Sequence, residues 1–396
     1  MDNSEIDITK YDYVVVGAGI SGSTIAERLV NCDTCKVKNK VLVIDKRSHL
    51  AGNCYDYIDK TTNIRISKYG PHFFHTNDLE VWNYVNMFSK WIRWEHKALS
   101  YVESVNKCVS IPVNITTINE LCNENIENSE DVKEWLSSNQ IKYDEIINSE
   151  EMAKSRVGEK LYKLLIEPYT YKQWNKMPEE LDASVLARIP IRDNFDSRYF
   201  SDKYQALPED GYTKLVENML DNPNITVSLN TDFFKLRDYY KNKVSSSEMP
   251  TIIYTGPIDS YFPNLPKLEY RSLEFKKEIY YYKNYYQTNS VVNHPDIETP
   301  YTRITEYKHI LNQKSPHTII FKEYSSDTGE PYYPVPTKRN RDLYDKYKLL
   351  ADEEEEKYDV HFLGRLANYK YFNMDQAIRN ALDYYELHFD SSSTKL

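Results

Sequence analysis

Apolar runs and the polar stretches between them divide the chain into segments of different period. Tyr13-Val14-Val15-Val16 is a short apolar run that stops at Gly17-Ala18-Gly19-Ile20-Ser21-Gly22, and residues 23–30 bring apolar positions back at helical spacing. A second apolar run, Val41-Leu42-Val43-Ile44, closes on Asp45. Strand, glycine turn, helix, strand and acid in this order predict a dinucleotide-binding unit. Gly17 lets the chain turn off the strand, Gly19 lets backbone approach a pyrophosphate, and Gly22 lets the helix pack closely on the sheet. The helix start offers free N–H groups and a positive dipole end to phosphates. Asp45 is placed to accept from a ribose hydroxyl. The plain alternative is a buried turn in an ordinary α/β domain. It is weakened because the strand precedes the glycines, the helix follows them and the acid ends the unit.

The pattern continues with an alternating strand at 64–67 and then residues 68–77, dense in Gly, Pro, His and aromatics, which suit a shaped loop. Residues 81–91 read as helix, and 99–105 with 108–112 as a hairpin around Asn106-Lys107. From 117 to about 166 the chain is charged and helical by period, which predicts a helical insertion. Aromatics crowd at 169–174, whereas 179–192 carry little periodic signal and end with two arginines, Arg188 and Arg192. Arginines beside an aromatic patch suit an anionic, base-bearing ligand. Beyond Gly211 come a helix at 214–220, a strand at 225–229 and a buried strand from 251 that ends in Thr255-Gly256, where a cofactor can come close. Residues 268–282, 290–293, 301–306 and 318–324 predict an antiparallel sheet. A strand at 361–363, Gly364-Arg365 and a helix at 374–388 close the pattern, and the acidic run 352–356 reads as a solvated helix face.

Composition narrows the function more than the fold. A formal net charge of −10 over 396 residues, with no basic tract among aromatics, argues against nucleic-acid binding. The first ten residues lack signal-peptide character, and no apolar stretch approaches the roughly 20 residues that span a bilayer, so a cytoplasmic protein without membrane insertion is expected. Cys32 and Cys35 form a lone CxxC in a polar insertion, read as surface loop, and no metal site is expected. The 36 tyrosines are mostly core and surface, with some clusters in polar contexts where a ligand can sit.

After Asp45, the stretch Lys46-Arg47-Ser48-His49-Leu50-Ala51-Gly52-Asn53 resembles the second small-residue turn of flavoproteins related to amine oxidases, which favours FAD over NAD. Further motifs carry a closer likeness: Tyr69-Gly70-Pro71-His72, Tyr169-Thr170 with Gln173-Trp174, Arg188-Ile189-Pro190, Gly211-Tyr212-Thr213, Pro300-Tyr301-Thr302-Arg303-Ile304, Pro331-Tyr332-Tyr333-Pro334, and Gly364-Arg365-Leu366 with Tyr369-Lys370-Tyr371. Together they resemble the shorter, bacterial type of UDP-galactopyranose mutase over nearly the whole chain. The resemblance implies an α/β fold with a Rossmann-like FAD-binding domain, a helical insertion and an antiparallel β-sheet substrate domain. The FAD domain would be discontinuous, from 10–90, 208–262 and 334–390. The insertion would take 117–182, with a mobile loop at 179–191, and the sheet domain 92–116, 183–207 and 263–333.

It also implies interconversion of UDP-galactopyranose (UDP-galactose) and UDP-galactofuranose. In that chemistry N5 of reduced FAD attacks the anomeric carbon, UDP leaves, and a flavin–sugar iminium lets the ring reclose. An external donor such as NAD(P)H would keep the flavin reduced, and a homodimer would be a natural assembly. Matched to the family's motifs, Arg188 and Arg303 are the cations on the diphosphate, and His72 lies against the flavin with His75 as a second neighbour. Tyr169 and Trp174 line the uridine, Thr170 is a further substrate-binding residue, Tyr199 and Asn293 touch nucleotide and sugar, and Tyr333 and Tyr371 hydrogen-bond the diphosphate. The cofactor's residues are Gly17, Gly19, Ser21, Gly22, Asp45, Lys46, Gly52, Asn53, Pro71, His72, Thr255, Gly256, Gly364, Arg365 and Met374. For each there is a plainer role, a salt bridge for the arginines and core packing for the tyrosines and histidines. Four departures from the family pattern stand out: Ala51 and Pro168 for glycine, Leu165-Ile166 where aromatics are frequent, and Asn373 for an acid. An amine-oxidase-like oxidoreductase and a non-catalytic nucleotide-sugar-binding protein are the alternative readings.

Overall fold

The computed structural model describes residues 6–31, 38–187, 189–240, 243–245 and 248–390. Cys32, Cys35 and Arg188 lie outside the described residues. Five parallel strands form the first sheet, in the order Ile225–Leu229, Val41–Asp45, Tyr13–Val16, Thr251–Tyr254, Val360–Phe362. The three central strands are near-continuous apolar runs because both faces are covered. The helices Ile20–Val30, Tyr212–Leu220 and Met374–His388 bury Ile25, Leu29, Val216 and Ala381 on one face. The helices Phe233–Tyr240 and Lys338–Tyr358 bury Leu236 and Tyr347 on the other. Lys338–Tyr358 turns its acidic run mostly to solvent, as the sequence suggested.

A seven-stranded sheet has the order Tyr333–Pro334, Tyr270–Tyr280, Thr318–Ser326, Arg303–Glu306, Val291–Asn293, Ala98–Val102, Lys107–Ile111. It is not wholly antiparallel: Val291–Asn293 runs parallel to Ala98–Val102, joining segments almost 200 residues apart in the chain. The hairpin Ala98–Val102 and Lys107–Ile111 forms as expected, turning through Glu103–Val105 and Asn106 at φ 51°.

Two local readings are corrected. The helix expected at 81–91 is Leu79–Asn86, capped by Asp78, and Trp91 lies in the strand Trp91–Arg93. The loop expected over 68–77 gives way to the strand Phe74–Thr76. Both short strands pair with Tyr204–Pro208 in a separate three-stranded sheet, so distant partners rather than local period fix them. The helical insertion is seen as Ile115–Cys122, Ser129–Asn139 and Ser149–Leu161, followed by a π-turn Tyr162–Ile166 and the helix Glu167–Trp174. Among the described residues, no helix is long and apolar enough to cross a membrane.

Candidate active site

The glycine turn is built as its spacing predicts. Gly17 has φ 113°, and a Cβ there would lie 2.2 Å from Thr255 Oγ1; a Cβ on Gly22 would lie 1.9 Å from the Gly17 carbonyl oxygen. Gly19 meets only Gly52 Cα, at 3.7 Å, so the space beside it stays open. Gly19 also caps the helix Ile20–Val30 without a side-chain bond, which leaves the first N–H groups of that helix for another acceptor. Before them opens a cavity of about 650 Å³, bordered by Ser21, Asp45, Lys46, Asn53, Thr255 and Gly256. Asp45 accepts from the Ala18 N–H at 2.9 Å and the Arg47 N–H at 2.8 Å, so it fixes the turn while lining the cavity. Ala51 occupies the departing turn position in the left-handed region, φ 67°, which is where an alanine is strained and a glycine is not. Gly364 stands behind the cradle with φ 96°, its Cβ direction blocked by Ser21 Oγ at 3.0 Å. The open backbone beside Gly19 and the uncapped helix start fit a dinucleotide's pyrophosphate.

A second cavity, about 300 Å³, borders the first. His72, Arg365, Asn373 and Met374 line both. His72 donates its Nδ1–H to the Gly70 carbonyl at 3.0 Å, which leaves Nε2 as an acceptor. Burial, then Arg365 and Arg303, push the imidazole down to about 4, so it is neutral at ordinary pH. Arg365 is tied to the carbonyls of Tyr332 and Phe372 and lies over the ring of Tyr371, 5.2 Å from its centroid. The Asn373 N–H donates to the Gln376 side chain at 2.9 Å, Asn373 caps the helix Met374–His388, and Asn373 and Met374 border both cavities.

Pro71, Tyr169, Thr170, Trp174, Tyr199, Asn293, Arg303, Tyr333 and Tyr371 all line the second cavity. Arg303 pairs with Glu323 through Nε and one terminal nitrogen, each 2.9 Å from Oε2. Burial opposes the guanidinium charge, but Glu323, then Tyr169 and Tyr333, outweigh it and hold Arg303 well above its usual range. The ion pair and the cavity wall are therefore one arrangement, not alternatives. Asn293 and Arg303 are cross-strand partners, so both reach the cavity from one sheet register. Tyr333 stacks on Tyr371 at 5.5 Å, and burial followed by Tyr371 pushes its phenol up to about 12. Trp174 packs edge-on to Tyr333 at 6.3 Å. Part of the lining is aliphatic, with Val113, Val157, Leu165, Ile166 and Ile191, of which Leu165 and Ile166 stand where the family pattern often has aromatics. His75 bonds Asp202 at 3.0 Å and stacks on Phe200.

In the described part of 179–191, which leaves out Arg188, the chain is packed at several points. Leu181, Val185 and Leu186 are buried, Ser184–Ala187 forms a helical turn, and Arg156 donates to the Leu186 and Ala187 carbonyls. Two residues at the site were not singled out from sequence. Glu323 shares a strand face with Ile319 and Phe321, so an acid on an apolar face was the available signal. His96 is buried, stacked on Phe73 at 3.7 Å, with no partner for Nδ1 among the described residues; burial, then Arg303, push it down to about 3. It lies between regular elements, and no periodic signal marks it.

With this geometry in hand, comparison with known proteins gives a consistent picture. A family model described as UDP-galactopyranose mutase matches residues 164–371, and one described as an NAD(P)-binding Rossmann-like domain matches 15–88. The dTDP-fucopyranose mutase of Escherichia coli is 35% identical, covering 96% of this chain and 98% of its own. The UDP-galactopyranose mutase of Mycoplasma genitalium is 33% identical, covering 94% and 93%. A crystal structure of reduced UDP-galactopyranose mutase superposes with a TM-score of 0.72 at 15% identity, covering 97% of each chain.

Proposed function

The chain belongs to the UDP-galactopyranose mutase family, and on that premise we propose that it interconverts the pyranose and furanose forms of a galactose-type sugar carried on UDP. Gly17, Gly19, Gly22 and Gly52 would hold FAD in the cradle, and once reduced by an external donor it would supply the nucleophile for the sugar's anomeric carbon. The chain's own residues do the rest. Arg303 takes charge from the leaving diphosphate, and the phenols of Tyr333 and Tyr371 donate to its oxygens. Tyr169, Thr170 and Trp174 cover the uridine, while Tyr199 and Asn293 orient the nucleotide and sugar. Neutral His72 offers an acceptor at the junction without placing a second cation there.

The observation that carries this reading is the wall shared by the two cavities at His72, Arg365, Asn373 and Met374. A group in the dinucleotide cradle and a nucleotide sugar beside Arg303 would meet there. Incubating the reduced protein with UDP-galactofuranose and separating the products by chromatography tests it. UDP-galactopyranose is expected, and unchanged substrate counts against the proposal. The dTDP-fucopyranose mutase relative supports a second reading, a dTDP-linked 6-deoxy sugar. The aliphatic part of the lining would receive a thymine methyl, and the same assay with dTDP-fucose decides between the two.

A further inference from the structure

Lys172 lies on the helix Glu167–Trp174, which also carries Tyr169, Thr170 and Trp174, but it is absent from the cavity lining. Its ammonium enters the loop 294–302 and meets four backbone carbonyls, those of His294, Asp296, Thr299 and Tyr301, at 2.5 to 2.9 Å. An ammonium has three hydrogens, so four converging carbonyls surround it as ligands surround a bound cation. This loop links the strand that ends at Asn293 to the strand that begins at Arg303. We propose that Lys172 is a positioning residue that folds this loop around its charge and thereby sets Arg303 against the diphosphate.

Side chains secure the same loop from the other side. Glu103 accepts from His294 at 2.6 Å and from Thr299 at 3.0 Å, and Asp296 accepts the N–H groups of Glu103 and Ser104. The loop closes with the His294 N–H on the Thr302 carbonyl and the Thr302 N–H on the Glu323 carbonyl, both at 2.8 Å. Arg303 follows directly, with its side chain on the carboxylate of that same Glu323. Without the ammonium, four carbonyl dipoles would point at one another, and the loop would have to open. Burial pulls the lysine down to about 8, with Glu103 and then Asp296 pulling it back, so the charge is retained at neutral pH.

The inference rests on the proposed role of Arg303, and a double-mutant cycle separates the two. Turnover and KM are measured for Lys172→Met, Arg303→Ala and the double variant, on the reduced protein with UDP-galactofuranose. Lys172→Met should lower kcat at least tenfold and change KM less than threefold. In the Arg303→Ala background the same change should cost less than threefold, because the lysine acts through the arginine. A full tenfold loss in both backgrounds, or no loss in either, overturns the positioning role. Wild-type turnover in Arg303→Ala overturns the proposed function instead. If Lys172→Met does not fold, Lys172→Arg keeps the charge but not the fit to the cage, and the same cycle is read on it.

Discussion

Glu323 holds Arg303 by two nitrogens on a single carboxylate oxygen, each 2.9 Å away, and its other oxygen is buried with no hydrogen-bond partner among the described residues. A guanidinium gripped along one edge has a fixed direction and keeps its remaining N–H groups for a ligand. Charge grows on the diphosphate as the sugar–oxygen bond breaks, so this contact matters most in the transition state. Arg303→Ala should lower kcat about a hundredfold, roughly 3 kcal/mol, while UDP still binds. Steady-state kinetics beside UDP titration check this.

Glu323→Gln keeps the shape and removes the charge. Losing one charged hydrogen-bonding partner costs roughly 1.5 kcal/mol, about tenfold in rate. The lost anion also ceases to repel the diphosphate, so UDP should bind no more weakly than before. A fall in kcat with an unchanged or smaller UDP Kd is the expected result of the same two measurements.

His72 and His96 are neutral, at about 4 and about 3, because burial and the nearby arginines disfavour their protonation. Their folded values lie below the unfolded one of about 6.5. The unfolded chain therefore takes up protons first as pH falls. Their contribution to stability is full above about 6.5 and declines from there to about 4 for His72 and to about 3 for His96. Imidazole NMR should show no titration of either residue from pH 8 to 5.5, and thermal melts should fall across the lower window.

The cradle predicts a steric effect. Gly22→Ala places a methyl carbon against the Gly17 carbonyl, at 1.9 Å before relaxation, in a turn that cannot shift without moving Thr255. Overpacking of this kind costs about 2 to 3 kcal/mol. Lower flavin content per protein and a reduced Tm are expected, read by absorbance and calorimetry.

Local chemistry made much of this fold legible. The helix Met374–His388 and the strand Ile225–Leu229 coincide with their expected bounds, since each has its own period and flanking breaks. The glycine turn was legible because each glycine answers a steric demand that exists before any ligand binds. Short strands were not: Phe74–Thr76 and Trp91–Arg93 have three residues each, too few for period, and exist through Tyr204–Pro208. The site shows the same division. Arg303 could be picked out by its motif, but Glu323 is its neighbour only through strand pairing, and His96 only through packing on Phe73.

The central claim is that a reduced flavin in the cradle acts on a nucleotide sugar held by Arg303, without net oxidation. Turnover of UDP-galactofuranose measured on one preparation, first oxidised in air and then reduced with dithionite, tests it most directly. Ring interconversion should appear on reduction, continue for many turnovers per reductant, and be almost absent in the oxidised protein. Equal turnover in both states, or consumption of one reductant for each sugar converted, would contradict the account.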